Sequence, residues 1–480
     1  MADAFASLAP LEEHIKQLQG RKMRLLTEVE QVEQQILLAQ LKFATLSNEA
    51  APISRLPDEL LTSIFALTRQ EDTPRSKAFQ VVASHVCAKW RAVATTTPLL
   101  WSEIQVILTF RNAKSKAEVD TELDRLNAYL TRSNSCIFSL KMEVIGNINL
   151  EPFLQLLGLQ MYRCQRLSFS ISNHSSPVSQ LLHHFGSLEA PILQHLSIHI
   201  PYCRLFDYDT RQLDLVRANI LQGGAPALQF LRVTGIAGHL QPPLSRLTTL
   251  HLDGSHMDGL SFEQFRDILQ STPEVINLSL NDLWVETPVI SSPQISIPNL
   301  RCLRIRARPE YDLHSLLINL PVTQLESCAM SQIASFRPIE FTNVKSLTLE
   351  HCSLIPEDVG NLILGFPAIQ SLTLVSGNPS SILFALGYPG TPIWWPKLKL
   401  LFLNDLFVRA IPIFLDAIHN RQATETPLER LYLDRETRKL LRSKKNLEEV
   451  NALLPVENHE DSSPWPAGLG YEDEDDGFWY

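Results

Sequence analysis

Twelve times between residues 137 and 433 the chain repeats a short phrase, apolar-x-x-apolar-x-apolar, whose alternating last positions suit a strand buried on one side. The phrase opens at Ile137, Cys164, Leu193, Leu228, Leu247, Val275, Leu300, Val322, Val344, Ile369, Leu398 and Leu428. Leu247 to Leu252, Val344 to Leu349 and Leu398 to Leu403 carry it most cleanly, and Val322 to Ser327 least. Between the phrases lie stretches with helical spacing, such as Phe262 to Leu269 and Val359 to Leu364, followed by small turn-formers and prolines. A strand and a helix joined over so short a span cannot bury their own apolar faces, so such units must stack on one another.

Successive starts are about 26 residues apart on average, within the 20 to 29 residue period of leucine-rich repeats once some longer insertions are allowed. The pattern predicts a leucine-rich-repeat-like α/β solenoid over residues 106–455, with parallel strands on the concave face. Alternate residues then face the concavity: His195, His199, His251, Asp253, Asn281, Arg304, Arg306, Glu326, Glu350, Phe402, Asn404, Tyr432 and Asp434. Every strand must show something to solvent, so each of these is first of all a solvated position. Arg304 and Arg306 are expected opposite Glu326 and Glu350 in the next two repeats, where charge pairing accounts for them as well as a ligand would. Trp394, Trp395, Phe402 and Tyr432 are the first candidate target-binding residues, because aromatics are enriched at binding hot spots, and Arg304 and Arg306 are candidates beside them. The two tryptophans precede a strand and would equally serve as a buried cap.

Ahead of the repeats, residues 1–50 read as one helix. Leu11, Leu18, Leu25, Val32, Ala39 and Leu46 form one row at seven-residue spacing, and Ile15, Val29, Ile36 and Phe43 a second. This is a five-heptad coiled-coil seam, breached only by Lys22 at an a-type position. Two outcomes are open: the helix folds back on the chain, or it forms a coiled coil by self-association or with a partner. Asn48 to Pro52 reads as a linker behind it.

Residues 51–105 read as a small all-α unit. Pro57 stands at an expected helix start with Asp58 and Glu59 in the first turn. Leu60, Leu61, Ile64, Phe65 and Leu67 then make an apolar face wider than a small unit needs for its own core. A second helical pattern runs through Val82, Val86, Cys87, Trp90 and Val93 and stops at Thr95-Thr96-Thr97-Pro98. In order, the segment holds Leu56-Pro57-Asp58-Glu59-Leu60-Leu61, Ile64-Phe65, Val86-Cys87-Ala88-Lys89-Trp90-Arg91 and Pro98-Leu99-Leu100-Trp101. These residues resemble the F-box family, and the layout is similar to fungal F-box-like proteins with a short coiled coil ahead of the box and divergent repeats behind it. The polar stretch Glu71 to Lys77 is longer than a compact box requires.

The resemblance implies a substrate-receptor subunit of an SCF-type (Skp-cullin-F-box) ubiquitin ligase. The box would pack on the Skp-family adaptor, and through it a cullin, with Pro57, Leu60, Leu61, Ile64, Val86, Cys87 and Trp90 supplying apolar contact. The repeats would hold a protein target. For the paired leucines of the first helix contact with the adaptor is the expected role, whereas Phe65 and Trp90 are equally suited to the core of the unit.

Composition closes off other classes. The chain has 480 residues, 42 Lys and Arg against 52 Asp and Glu and no concentrated basic stretch, so no nucleic-acid-binding body is expected. Residues 456–480 gather eight acids and read as an acidic, disordered tail. Seven scattered cysteines without a C-x-x-C pair point to reduced thiols, not to disulfides or zinc. With no apolar leader and no long apolar run, the expected location is intracellular, in cytoplasm or nucleus, away from membranes. The sequons at Asn173 and Asn277 are then chance matches. No phosphate-cradling, zinc-hydrolase, nucleophile-elbow or dinucleotide motif occurs, so neither catalysis, a metal nor a cofactor is expected. The alternatives to a ligase receptor are a coiled-coil and repeat scaffold with a degenerate box, and an unrecognised enzyme.

Overall fold

The structure, a computed structural model, describes residues 2–68, 79–109, 115–172, 175–200, 218–236, 240–254, 260–286, 295–306, 316–317, 320, 324–375, 379–388 and 393–459. The chain divides into two compact units, Met1–Ser102 with Arg132–Asn134, and Glu103–Thr131 with Ser135–Tyr480.

The first unit opens on one helix, α1 (Ala2–Ala50). It runs through most of the expected linker and is followed, after Ala51 alone, by a 3-10 turn (Pro52–Arg55). Pro52 has no N–H to continue the helical ladder, which accounts for the stop. Then come α2 (Asp58–Thr68), α3 (Phe79–Val86), α4 (Ala88–Thr96) and a second 3-10 turn (Pro98–Trp101). Pro57 sits just before α2 rather than inside it, its carbonyl accepting the first helical bond from Leu61 N at 3.1 Å. Asp58 and Glu59 lie against the positive end of the α2 dipole. The expected polar loop Glu71 to Lys77 lies outside the described residues.

In the second unit fourteen parallel strands form one open sheet, and all neighbours follow chain order. They are β1 (Glu103–Thr109), β2 (Phe138–Ile145), β3 (Cys164–Ser172), β4 (His195–His199), β6 (Phe230–Thr234), β8 (Thr249–Asp253) and β9 (Asn277–Asn281), followed by β10 (Cys302–Arg306), β11 (Ser327–Ser331), β12 (Ser346–Glu350), β13 (Ser371–Val375), β14 (Leu400–Asn404), β15 (Arg430–Leu433) and β16 (Val456–Asn458). Two short strands, β5 (Ala218–Asn219) and β7 (Leu240–Gln241), pair with each other apart from it.

The register explains the phrase. Its second apolar position forms an unbroken buried row across the sheet, from Leu140, Leu167 and Leu196 to Leu401 and Leu431, with Cys328 the one residue in it that is not leucine. Its third forms a parallel row from Met142 and Phe169 to Leu403 and Leu433. Just before each main-sheet strand from β4 to β14 one carbonyl takes two N–H donors from the next repeat. Ile276 O, for example, accepts from Arg301 N at 2.9 Å and Cys302 N at 3.0 Å. Just after several strands the chain turns through the left-handed region, at Asp282, Gln332, His351 and Asp405, as well as at Gly235. At all of these but Asp405 the backbone N–H still bonds the adjacent strand, as from Asp282 N to Arg306 O at 2.9 Å, whereas Asp405 N donates to Asp434 Oδ1 at 3.3 Å.

Three sequence expectations need correction. The weakest phrase begins at Leu325, not Val322: Leu325, Cys328 and Met330 are the buried triplet, and Val322 lies outside the described residues. The sheet continues into the expected tail, since Val456–Asn458 pairs with β15 and His459 N donates to Leu433 O at 2.9 Å. A strand precedes the first phrase as well: β1 pairs with β2 and buries Ile104, Val106 and Leu108. Residues 460–480 lie outside the described residues.

Candidate functional site: the apolar face of the box

Two apolar faces diverge on α2. Leu61 and Phe65 point inward and are fully buried; Phe65 meets Phe79 edge-on at 5.3 Å and Trp90 at 5.0 Å. Pro57, Leu60, Ile64 and Leu67 recur at three- and four-residue steps on the other side and are exposed. The helix α3 repeats the division, with Ala83 buried and Val82 and Val86 exposed one turn apart.

The frame under this face is built from polar contacts. Cys87 caps α4, its Sγ accepting from Trp90 N at 3.5 Å. Lys89 Nζ donates to Ser54 O at 3.0 Å and Leu56 O at 2.6 Å and lies 3.5 Å from Asp58 Oδ1. One ammonium thus ties the 3-10 turn and the start of α2 to α4 and gives the turn's carbonyls a donor. Trp101 is buried, with Nε1 donating to Ala94 O at 2.8 Å.

Of the seven residues expected to touch an adaptor, Pro57, Leu60, Ile64 and Val86 are exposed, whereas Cys87 and Trp90 are half-buried in structural roles. Leu61 is core, so the paired leucines do not act together: Leu60 is 51 % exposed and Leu61 0 %. Leu67 and Val82 belong to the exposed face but were not among the seven; the helical periodicity already contained both.

The six target-binding candidates fall in three places. Phe402 and Tyr432 are register partners on β14 and β15, stacked at 4.3 Å with 6° between the rings, and His459 meets Phe402 at 5.0 Å. Arg304 and Arg306 share the same sheet face four strands away on β10. Trp395 is buried and Trp394 half-buried; their carbonyls accept from the buried guanidinium of Arg421 at 2.8 and 2.7 Å. Trp395 is therefore the cap of the repeat and not part of an open patch. The expected pairing of Arg304 and Arg306 with Glu326 and Glu350 is absent from the strand register. Their partners there are Ser279, Ala329, Asn281 and Ser331. Glu326 precedes β11 and pairs with Arg301 at 3.5 Å, while Glu350 lies two strands from Arg306.

The polar sheet face is also less open than alternation implied. His195, Arg232, Asp253, Asn277 and Asn281 are buried. Arg232 Nε and Thr234 Oγ1 both donate to Asp253 Oδ2, at 2.8 and 2.9 Å, and Phe230 stacks on His195 at 4.0 Å. The sequon residue Asn277 donates through Nδ2 to Thr249 Oγ1 at 3.1 Å, out of reach of a glycosyl transfer. Burial raises the thiol pKa of Cys164, Cys328 and Cys352, the last to about 11, so none of these is a thiolate nucleophile near neutral pH. Among the described residues no His, Cys, Asp and Glu cluster could hold a metal ion, and no helix is long and apolar enough to cross a membrane.

A family model described as F-box-like matches residues 53–106, spanning the 3-10 turn, α2 to α4 and the first residues of β1. No curated protein matches the chain. An exposed apolar face on a small helical unit, with this match over it, identifies an F-box-like domain at residues 53–106.

Proposed function

We propose that the chain is the substrate receptor of an SCF-type ubiquitin ligase and is not itself an enzyme. The observation that carries this reading is the exposed stripe Pro57, Leu60, Ile64 and Leu67, with Val82 and Val86, on a domain of F-box-like sequence. An apolar surface of this kind gains by burial against a matching partner, and an F-box-like domain generally docks a Skp-family adaptor and through it a cullin. The leucine-rich-repeat-like strands behind the box supply a rigid face for a protein target, with the stacked Phe402 and Tyr432 as the first contact to examine. The chain then works by proximity: it holds a target lysine within reach of a separate conjugating enzyme, in cytoplasm or nucleus.

The test is co-purification with a Skp-family adaptor. Wild type is expected to bind stoichiometrically, and Leu60→Asp/Ile64→Asp to lose at least 100-fold in affinity with an unchanged unfolding midpoint, since both side chains are exposed. Absence of binding by the folded wild type would leave the second reading, a scaffold whose box is degenerate.

A further inference from the structure

Every side chain from Pro10 to Ser47 on α1 is exposed, including the whole heptad seam, whose large apolar members are 50–75 % exposed. No other described residue of its own unit covers them. A helix of this length is about 70 Å long at 1.5 Å per residue, and its seam is apolar along five heptads. Ordering such a stripe in water without a partner gains nothing from its apolar surface.

We propose that α1 pairs with α1 of a second copy of this chain as a parallel, in-register, two-stranded coiled coil. The seam itself selects this occupant. Ile15, Val29 and Ile36 occupy three of the five a positions, beside Lys22 and Phe43, while Leu11, Leu18, Leu25 and Leu46 occupy four of the six d positions, beside Val32 and Ala39. β-Branched residues at a with leucine at d favour two strands in parallel. Lys22 sets the register. Aligned copies place both lysines in one layer, from which the ammonium groups reach solvent along their apolar stems. A slip of one heptad would set each Lys22 against Ile15 or Val29 and make two polar layers instead of one. The area is also sufficient. Nine half-exposed apolar seam residues, at about 80 Å² removed from water each, give about 1,400 Å² per pair of helices, within the range of stable interfaces.

Parallel pairing brings the two Ala50 ends of α1 within about 10 Å of each other, the usual interaxial distance. Both boxes then start from the same end of the coil, so one assembly presents two adaptor faces and two target faces. A target with two recognition sites would be held by avidity, without any new contact.

The test uses the full chain in light scattering. Wild type is expected at twice 54.2 kDa, and Val29→Asp/Ile36→Asp at 54.2 kDa with the unfolding transition of the repeats retained and only the α1 helix signal weakened, because both positions lie on the seam that the pairing would bury. Leu18→Cys is expected to form an intermolecular disulfide under mild oxidation that wild type, with its own cysteines, does not form. A monomeric wild type would overturn the proposal, as would a dimer that survives Val29→Asp/Ile36→Asp. A Leu18→Cys chain that cross-links only to a Phe43→Cys chain would show antiparallel strands and overturn the orientation. Adaptor binding is measured on the same variants; it does not depend on the coil, so its loss or retention bears on the box alone.

Discussion

Adjacent leucines on α2 have opposite fates because one residue step turns a helix by about 100°. Leu61→Ala removes a fully buried side chain beneath Phe65 and is expected to cost about 2–5 kcal/mol in denaturant unfolding of the box. Leu60→Ala should stay within about 0.5 kcal/mol of wild type in the same measurement while weakening adaptor binding. A comparable reversal occurs at Trp395, whose aromatic character suggested a contact residue. Its positive φ of 47° is held in place by Arg421, a buried cation whose pKa is lowered by its burial and whose two N–H groups satisfy the Trp394 and Trp395 carbonyls. Arg421→Met should orphan both carbonyls and cost about 2–5 kcal/mol in urea unfolding. Arg421→Lys should recover little, since one ammonium cannot reproduce the forked geometry.

At the scale of elements, what the sequence revealed follows from what periodicity encodes. Eleven of the twelve phrases locate their strands because alternation and an apolar first position agree, as at Leu247, Leu250 and Leu252; that first position is buried in ten of them and exposed at Ile137. At β11 the small residues Ser327, Ala329 and Ser331 weaken the contrast, so that the pattern alone points to Val322 although the strand's phrase starts at Leu325. The flanking strands β1 and β16 escaped because a terminal strand needs no repeat on its far side and so need not carry the phrase. For the box, the helix pattern showed which residues are apolar but not which of two apolar faces is inside. Alternation likewise assigned Asp253 to the polar side of β8 but could not tell that this side is buried, or that Asp253 bonds Arg232 and Thr234 across to β6. Asp253→Ala should strand the Arg232 charge and lower stability by about 3–5 kcal/mol, and Arg232→Met/Asp253→Leu should restore most of it in the same denaturation series.

For the molecule as a whole, the buried polar rows of β4 and β8 make stability depend on pH. Burial, followed by the neighbouring Arg232, lowers the pKa of His199 to about 4 and of His251 to about 3, in each case against a raising influence from Asp253. His195 is pushed well below its usual value by burial, then by Arg166, His251 and Arg232. All three are neutral in the folded chain at pH 7 and titrate near 6.5 when unfolded, so the unfolded state takes up more protons as pH falls. The stability they contribute is fully present above pH 6.5 and is lost as pH drops toward 4. Urea unfolding is therefore expected to show a falling midpoint between pH 7 and pH 5, before most carboxylates protonate, with a slope of up to about 1.4 kcal/mol per pH unit for each histidine. His251→Gln should flatten that slope by one histidine's share. A midpoint that does not move over this range would mean that the histidines of β4 and β8 protonate without unfolding, and that the sheet's polar face opens readily to water.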